Sequence, residues 1–149
     1  MGWTRWIDLP PVWTAAHLMA LWLGRGVGPR LEARAWDVAA GILILLGLAL
    51  MAWAVVTMVR HRTTVIPRRQ PDALVITGPF ALSRNPIYLG DVLILAGAVL
   101  WSSVVWAALL VPSLVAVLTY RFIISEESRL RAEFAAGFAE WSARVRRWV

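Results

Sequence analysis

Cysteine is absent from the 149 residues, which excludes disulfides, thiolate metal sites, a cysteine nucleophile and lipidation through sulfur. Lysine is absent too, so all fifteen basic residues are arginines, set against nine acids for a net charge of +6. Charge as a whole is scarce. Only 16% of residues are charged while 60% are hydrophobic, with a mean hydropathy of +0.66, and that leaves too little polar surface to cover a soluble globule of this length. Residues 1–11 show no basic segment followed by an apolar core and a small-residue cleavage site, so no signal peptide is expected. The two histidines, His17 and His61, fall in different parts of the apolar pattern with no acidic cluster nearby, and no metal site is expected. A basic balance can mean nucleic acid, but here the arginines stand at the ends of apolar runs, where they meet lipid headgroups; no nucleic-acid partner is expected. Missing lysine beside abundant Ala, Arg and Trp is compatible with a GC-rich bacterial genome, which makes the bacterial inner membrane the expected location.

Four apolar runs are present, at residues 12–23, 38–59, 87–101 and 104–124. At ~1.5 Å of rise per residue, the second and fourth can cross a hydrocarbon core of ~30 Å, while the first and third need flanking residues. The expected fold is therefore all-α: one domain over residues 1–149, a membrane bundle of about four transmembrane helices (about 11–24, 37–59, 86–101 and 104–124). Ser102 and Ser103 make the only break between the last two runs, and Pro112 should kink the fourth. Four spans place Arg5, Arg60, Arg62, Arg68, Arg69, Arg84, Arg121, Arg129, Arg131, Arg144, Arg146 and Arg147 on one side and only Arg25, Arg30 and Arg34 on the other. Both termini are then cytoplasmic by the positive-inside rule, and Trp22, Trp36, Trp101 and Trp106 form an aromatic belt at the opposite face. Beyond Ile124, the spacing of Leu130, Phe134, Phe138, Trp141, Val145 and Trp148 predicts a C-terminal amphipathic helix over about 126–148, lying in the interface or capping the bundle.

Chemistry-bearing residues concentrate between Leu74 and Asp91 and at Glu126–Glu127. Asn85 followed by Pro86 is a helix-start signature, and a helix N-terminus beside Arg84 suits a carboxylate or phosphate. The alternative is that Arg84 reaches headgroups and Asn85 only caps. Tyr88 and Asp91 lie one turn apart on that helix, and an acid near hydrocarbon is a functional candidate by default. Glu126 and Glu127 close the fourth run, where carboxylates oppose the helix dipole and need partners. Arg131, at i+4, is the plain partner for Glu127, whereas Glu126 faces Leu130. The glycine-rich stretch at residues 24–28 follows no strand and is taken as a turn.

From about Thr64 to Arg147 the chain resembles integral membrane methyltransferases of the isoprenylcysteine carboxyl methyltransferase and phospholipid methyltransferase type. The residues that carry the likeness are Leu74-Val75, Gly78-Pro79-Phe80, Arg84-Asn85-Pro86-Ile87-Tyr88-Leu89-Gly90, and Glu126-Glu127 with Leu130, Phe134, Phe138 and Trp141. The resemblance implies an enzyme that moves a methyl group from S-adenosylmethionine to a membrane lipid or other lipophilic small-molecule acceptor at the cytoplasmic face. Leu74, Val75, Phe80, Arg84, Asn85, Pro86, Ile87, Tyr88, Glu126 and Glu127 would be the cofactor-binding residues. The rival from another class is a non-catalytic small bundle acting as a scaffold or transporter subunit. Carboxyl methyltransferase members carry an Arg four residues before the first Glu to orient the substrate carboxylate; here that position is Phe122, with Arg121 beside it. The acceptor (carboxyl, amine, thiol or other) therefore stays open, with Arg121 and Asp91 as acceptor-side candidates.

Overall fold

A computed structural model describes residues 8–31, 34–64 and 72–149. In chain order these form α1 (Pro10–Gly24), α2 (Arg34–Arg60), a 3-10 turn at Gly78–Ala81, α3 (Pro86–Ser102), a second 3-10 turn at Val105–Leu109, α4 (Leu110–Leu118), a π turn at Thr119–Ile123, α5 (Ile124–Glu133) and α6 (Ala135–Arg144). No strand occurs among the described residues, only an isolated bridge between Arg30 and Val104. Arg5, Arg68 and Arg69, which entered the charge argument, lie outside the described residues.

Two helical stretches are long and apolar enough to cross a membrane, at Trp36–Arg60 and Val105–Glu133; the apolar α3 is shorter, at 17 residues. Only 17% and 28% of the apolar windows of the two long helices are buried, so neither is the core helix of a soluble domain. Met19, Ile42, Leu45, Leu46, Leu48 and Leu109 are exposed. A soluble monomer rarely shows so broad an apolar face. The chain is a membrane protein.

Small residues bring α2 and α3 together. Ala40, Gly47 and Ala54 recur every seven residues on one helix, Gly90 and Gly97 on the other. A Cβ added at Gly47 would lie 2.7 Å from the Gly90 carbonyl oxygen, and one at Gly97 would lie 2.8 Å from that of Ala40. Backbones this close gain dispersion contacts that Leu or Ile would block. Against this pair, α1 and the last long helix complete a core of Leu21, Leu95, Val99, Leu114, Leu118 and Phe122.

At one end the Trp106 indole occupies the space a side chain would need at Gly24, and its Nε1 donates to the Val27 carbonyl at 3.1 Å. The Leu31 amide donates to the Ser103 carbonyl at 2.8 Å, and Ser103 ends α3 in the left-handed region (φ 57°). The ends of α1 and α3 and the start of the last helix therefore meet there. Pro112 falls in the first turn of α4, just after the 3-10 turn, so the irregularity expected at this proline is the change from 3-10 to α geometry.

The far end differs from the expectation drawn from hydropathy. The loss of apolar character after Ile124 does not end the helix, because nothing between Ile124 and Glu133 interrupts its backbone hydrogen bonds; α5 continues α4 and the π turn without a break. The interruption comes at Phe134 (φ −119°, ψ 31°), and α6 stops at Arg144. Residues 126–148 are thus the end of the last long helix, one short helix and an extended tail instead of one amphipathic helix. Phe138 and Trp141 of α6 are buried with Ala54, Val75 and Phe80 in a second core, and Trp141 Nε1 donates to the Phe80 carbonyl at 2.9 Å. This segment packs against α2 and the Gly78–Ala81 turn.

Candidate functional site

The approach to α3 is shaped by one glycine and two prolines. Gly78 takes φ +60°, and a Cβ there would sit 3.2 Å from Thr57 Oγ1, so glycine lets the turn rest directly on α2. Pro79 and Phe80 are buried in that turn. Pro86 then opens α3 with its fixed φ. Asn85 does not cap the helix with its side chain. Its Nδ2 donates instead to the Arg147 carbonyl at 3.0 Å, because the extended tail lies against residues 83–85, where the Arg84 amide also donates to the Arg146 carbonyl at 3.0 Å. The first turn of α3 thus takes no capping bond from the Asn85 side chain.

A cavity of about 590 Å³ opens between the head of α3, the last long helix and α2. Leu74, Val75, Phe80, Arg84, Asn85, Pro86, Ile87, Tyr88, Glu126 and Glu127 all line it, and so does Asp91. The motifs did not reveal Met51, Val55 and Met58 from α2 or Leu9–Pro11 at the head of α1, whereas Trp141 from α6, which also lines the cavity, was among the residues that carry the likeness. The α2 residues read as ordinary lipid-facing positions; the one sequence signal was Gly90, whose missing side chain leaves room for Met51. Arg121 does not reach the cavity. It pairs with Asp8 (Nε to Oδ1, 2.6 Å) and lies over the Trp13 ring, 5.1 Å from its centroid, while its neighbour Phe122 is buried against Tyr88. The π turn that carries both thus turns the cation outward and the ring inward.

Polar groups at the site are organised around two carboxylates. Tyr88 donates its hydroxyl to Glu126 Oε1 at 2.8 Å. Glu127 is not paired with Arg131, which lies over the Phe138 ring at 5.4 Å. It takes Arg84 Nη1 at 3.1 Å and both Nε and Nη2 of Arg147, at 3.0 and 2.7 Å. Hydrogen bonding to this carboxylate raises the Arg147 pKa above its ordinary value, so the guanidinium stays charged. His17 bonds the Trp13 carbonyl at 2.8 Å and Ser113 Oγ at 3.2 Å, and His61 the Thr57 carbonyl at 2.8 Å. No group of three or more potential metal ligands occurs among the described residues.

Among the described residues, three buried side-chain atoms have no hydrogen-bond partner: Thr63 Oγ1, Arg84 Nε and Asp91 Oδ2. All three residues line this cavity. Buried polar atoms are nearly always satisfied, so a donor, a hydroxyl and an acceptor left open around one space describe a site built for a polar ligand between apolar walls.

A family model described as phospholipid methyltransferase matches residues 36–136, more than half of the 149-residue chain. The chain belongs to the phospholipid methyltransferase family. No curated protein and no solved structure matches it. The family match takes in nearly all of α2, α3 and both glutamates, but Leu9–Pro11 lie before it and Trp141 and Arg147 after it.

Proposed function

We propose that this protein is an S-adenosylmethionine-dependent methyltransferase that spans the membrane four times and methylates a lipophilic or amphiphilic acceptor at the cytoplasmic face. The observation that carries the reading is the convergence of ten motif residues and three unpartnered polar atoms on one cavity. The residues present fit the cofactor. Arg84 Nε, unpartnered at the head of α3, and the positive end of that helix suit its carboxylate. Glu126, held by Tyr88, suits an amino group or a ribose hydroxyl. Leu74, Val75, Phe80, Ile87 and Trp141 offer apolar and aromatic surface for adenine.

When bound, S-adenosylmethionine supplies an electrophilic methyl group on a sulfonium. The chain's own contribution is position and dryness. The ion pairs of Glu127 tie the head of α3 to the C-terminal tail, and Tyr88 fixes the Glu126 carboxylate. Met51, Val55 and Met58 exclude water, so an acceptor meets the donor desolvated and aligned, which is where most of the rate of an in-line displacement comes from.

Four crossings are supported by the meeting of the ends of α1 and α3 with the start of the last long helix at Gly24, Ser103 and Trp106. The short α1 and α3 cross with the help of flanking loops. The cavity lies at the opposite, Arg-rich end, which the positive-inside rule makes cytoplasmic.

Calorimetry in detergent with wild type and Glu126→Ala tests the proposal. The wild type binds S-adenosylmethionine and the variant binds it at least about tenfold more weakly, as expected for a charge-assisted hydrogen bond. No detectable binding by the wild type favours a non-catalytic bundle instead, as does a lipid extract that acquires no labelled methyl group.

A further inference from the structure

Resting on the methyl-transfer reading, we propose that Asp91 is the acceptor-recognition residue of this site: its carboxylate receives a hydrogen bond from a cationic or otherwise donor-bearing acceptor group, and carboxylate acceptors are turned away. Asp91 is 4% exposed, and its Oδ2 is one of the three unpartnered polar atoms facing the cavity. Its other support is the Thr14 hydroxyl of α1, whose bond to the Pro10 carbonyl is long, at 3.4 Å. A buried carboxylate held by one neutral hydroxyl, with an oxygen left open, is a costly arrangement that a structural role does not require.

Depth separates Asp91 from the proposed cofactor contacts. It follows Tyr88 by three residues, one turn of about 4.5 Å further along α3 from the cytoplasmic end. Beside it the wall includes Met51, in the space next to Gly90. Among the described residues, the two arginines that line the cavity stand elsewhere: Arg84 precedes α3 and is engaged with Glu127, and Arg129 is on α5, three residues beyond Glu126. The position that would bring a cation inward is the buried Phe122, and Arg121 is turned away to Asp8. The deep end of the cavity therefore presents, among the described residues, a carboxylate with no arginine beside it. An acceptor carboxylate there would be repelled and unpaired, whereas an ammonium or amine N–H completes Asp91.

The test uses the full chain in lipid nanodiscs, with binding of S-adenosylmethionine, dodecylamine and dodecanoate measured by calorimetry against empty nanodiscs. Wild type should bind dodecylamine at least about tenfold more tightly than dodecanoate. Asp91→Asn should abolish that preference, and Asp91→Glu should restore part of it, a rescue that a purely structural aspartate would not show. Equal affinity of the wild type for the two amphiphiles overturns the proposal whether or not a variant folds, and so does an undiminished preference in Asp91→Asn. If the wild type binds S-adenosylmethionine but shows no such preference, this inference alone fails. If it binds no S-adenosylmethionine, the methyl-transfer reading fails and takes the inference with it.

Discussion

Arg147 closes on Glu127 through two parallel hydrogen bonds, Nε to Oε1 at 3.0 Å and Nη2 to Oε2 at 2.7 Å, and Arg84 reaches the same carboxylate from the other side at 3.1 Å. The Glu127 and Arg84 side chains are only 10% and 15% exposed, whereas Arg147 is 38% exposed. The two ends of this bridge should therefore differ in consequence. Glu127→Gln leaves Arg84 buried without a counter-charge and should cost about 3 kcal/mol. Arg147→Ala leaves the Arg84 pair intact and should cost about 1 kcal/mol. Thermal unfolding in detergent, with the two variants side by side, checks the order; equal losses would mean that the tail carries the bridge.

Tyr88 holds Glu126 through its hydroxyl, and its ring packs against Phe122, 6.4 Å between centroids. Tyr88→Phe keeps the ring and loses only the donor. The fold should survive with a small change in melting temperature. S-adenosylmethionine binding should weaken by about 1–2 kcal/mol, or roughly five- to thirtyfold, because a hydrogen bond that orients the Glu126 carboxylate is lost. An unchanged affinity would show that Glu126 is positioned by something else.

What could be read from the sequence divides along physical lines. The helices, their order and the ten residues around the cavity were legible because apolar length, a proline at a helix start and a compact motif are local signals. The partners of Glu127 were not. Arg131 at i+4 was the local candidate, but Arg84 and Arg147 reach the carboxylate from positions brought near only when the tail folds back. Asn85 shows the same limit: the capping signature was present, and the Arg147 carbonyl claimed the side chain. Hydropathy also placed the end of the last apolar helix at Ile124, the point where the chain stops being apolar, while the backbone stays helical to Glu133. Arg121, an acceptor-side candidate by sequence, is turned outward to Asp8 because one residue of helical offset separates it from the inward-facing Phe122.

The α2–α3 seam offers a prediction independent of the site. A Cβ at Gly97 would lie 2.7 Å from Ile44 Cγ1 and 2.8 Å from the Ala40 carbonyl oxygen; the side chain can move, but the backbone carbonyl cannot without parting the helices. Gly97→Ala should destabilise by about 1–3 kcal/mol despite the better helix propensity of alanine. Gly97 does not line the cavity, so cofactor affinity at a temperature where the variant is folded should be retained. A variant as stable as wild type would show that the seam is looser than the structure has it.

Absence of native cysteine makes the proposed orientation directly measurable. Gly26→Cys places a thiol in the loop after α1, where an added Cβ meets nothing within 4 Å. Ala143→Cys places one on an exposed position near the end of α6. In intact spheroplasts, a membrane-impermeant maleimide should label Gly26→Cys and spare Ala143→Cys, and inverted vesicles should reverse the pattern. Four crossings with the cavity facing the cytoplasm require that reversal, since the two sites lie at opposite ends of the bundle. Labelling of both positions from the same side would remove one crossing and, with it, the charge argument that puts Arg84, Glu127 and Arg147 on the cytoplasmic surface.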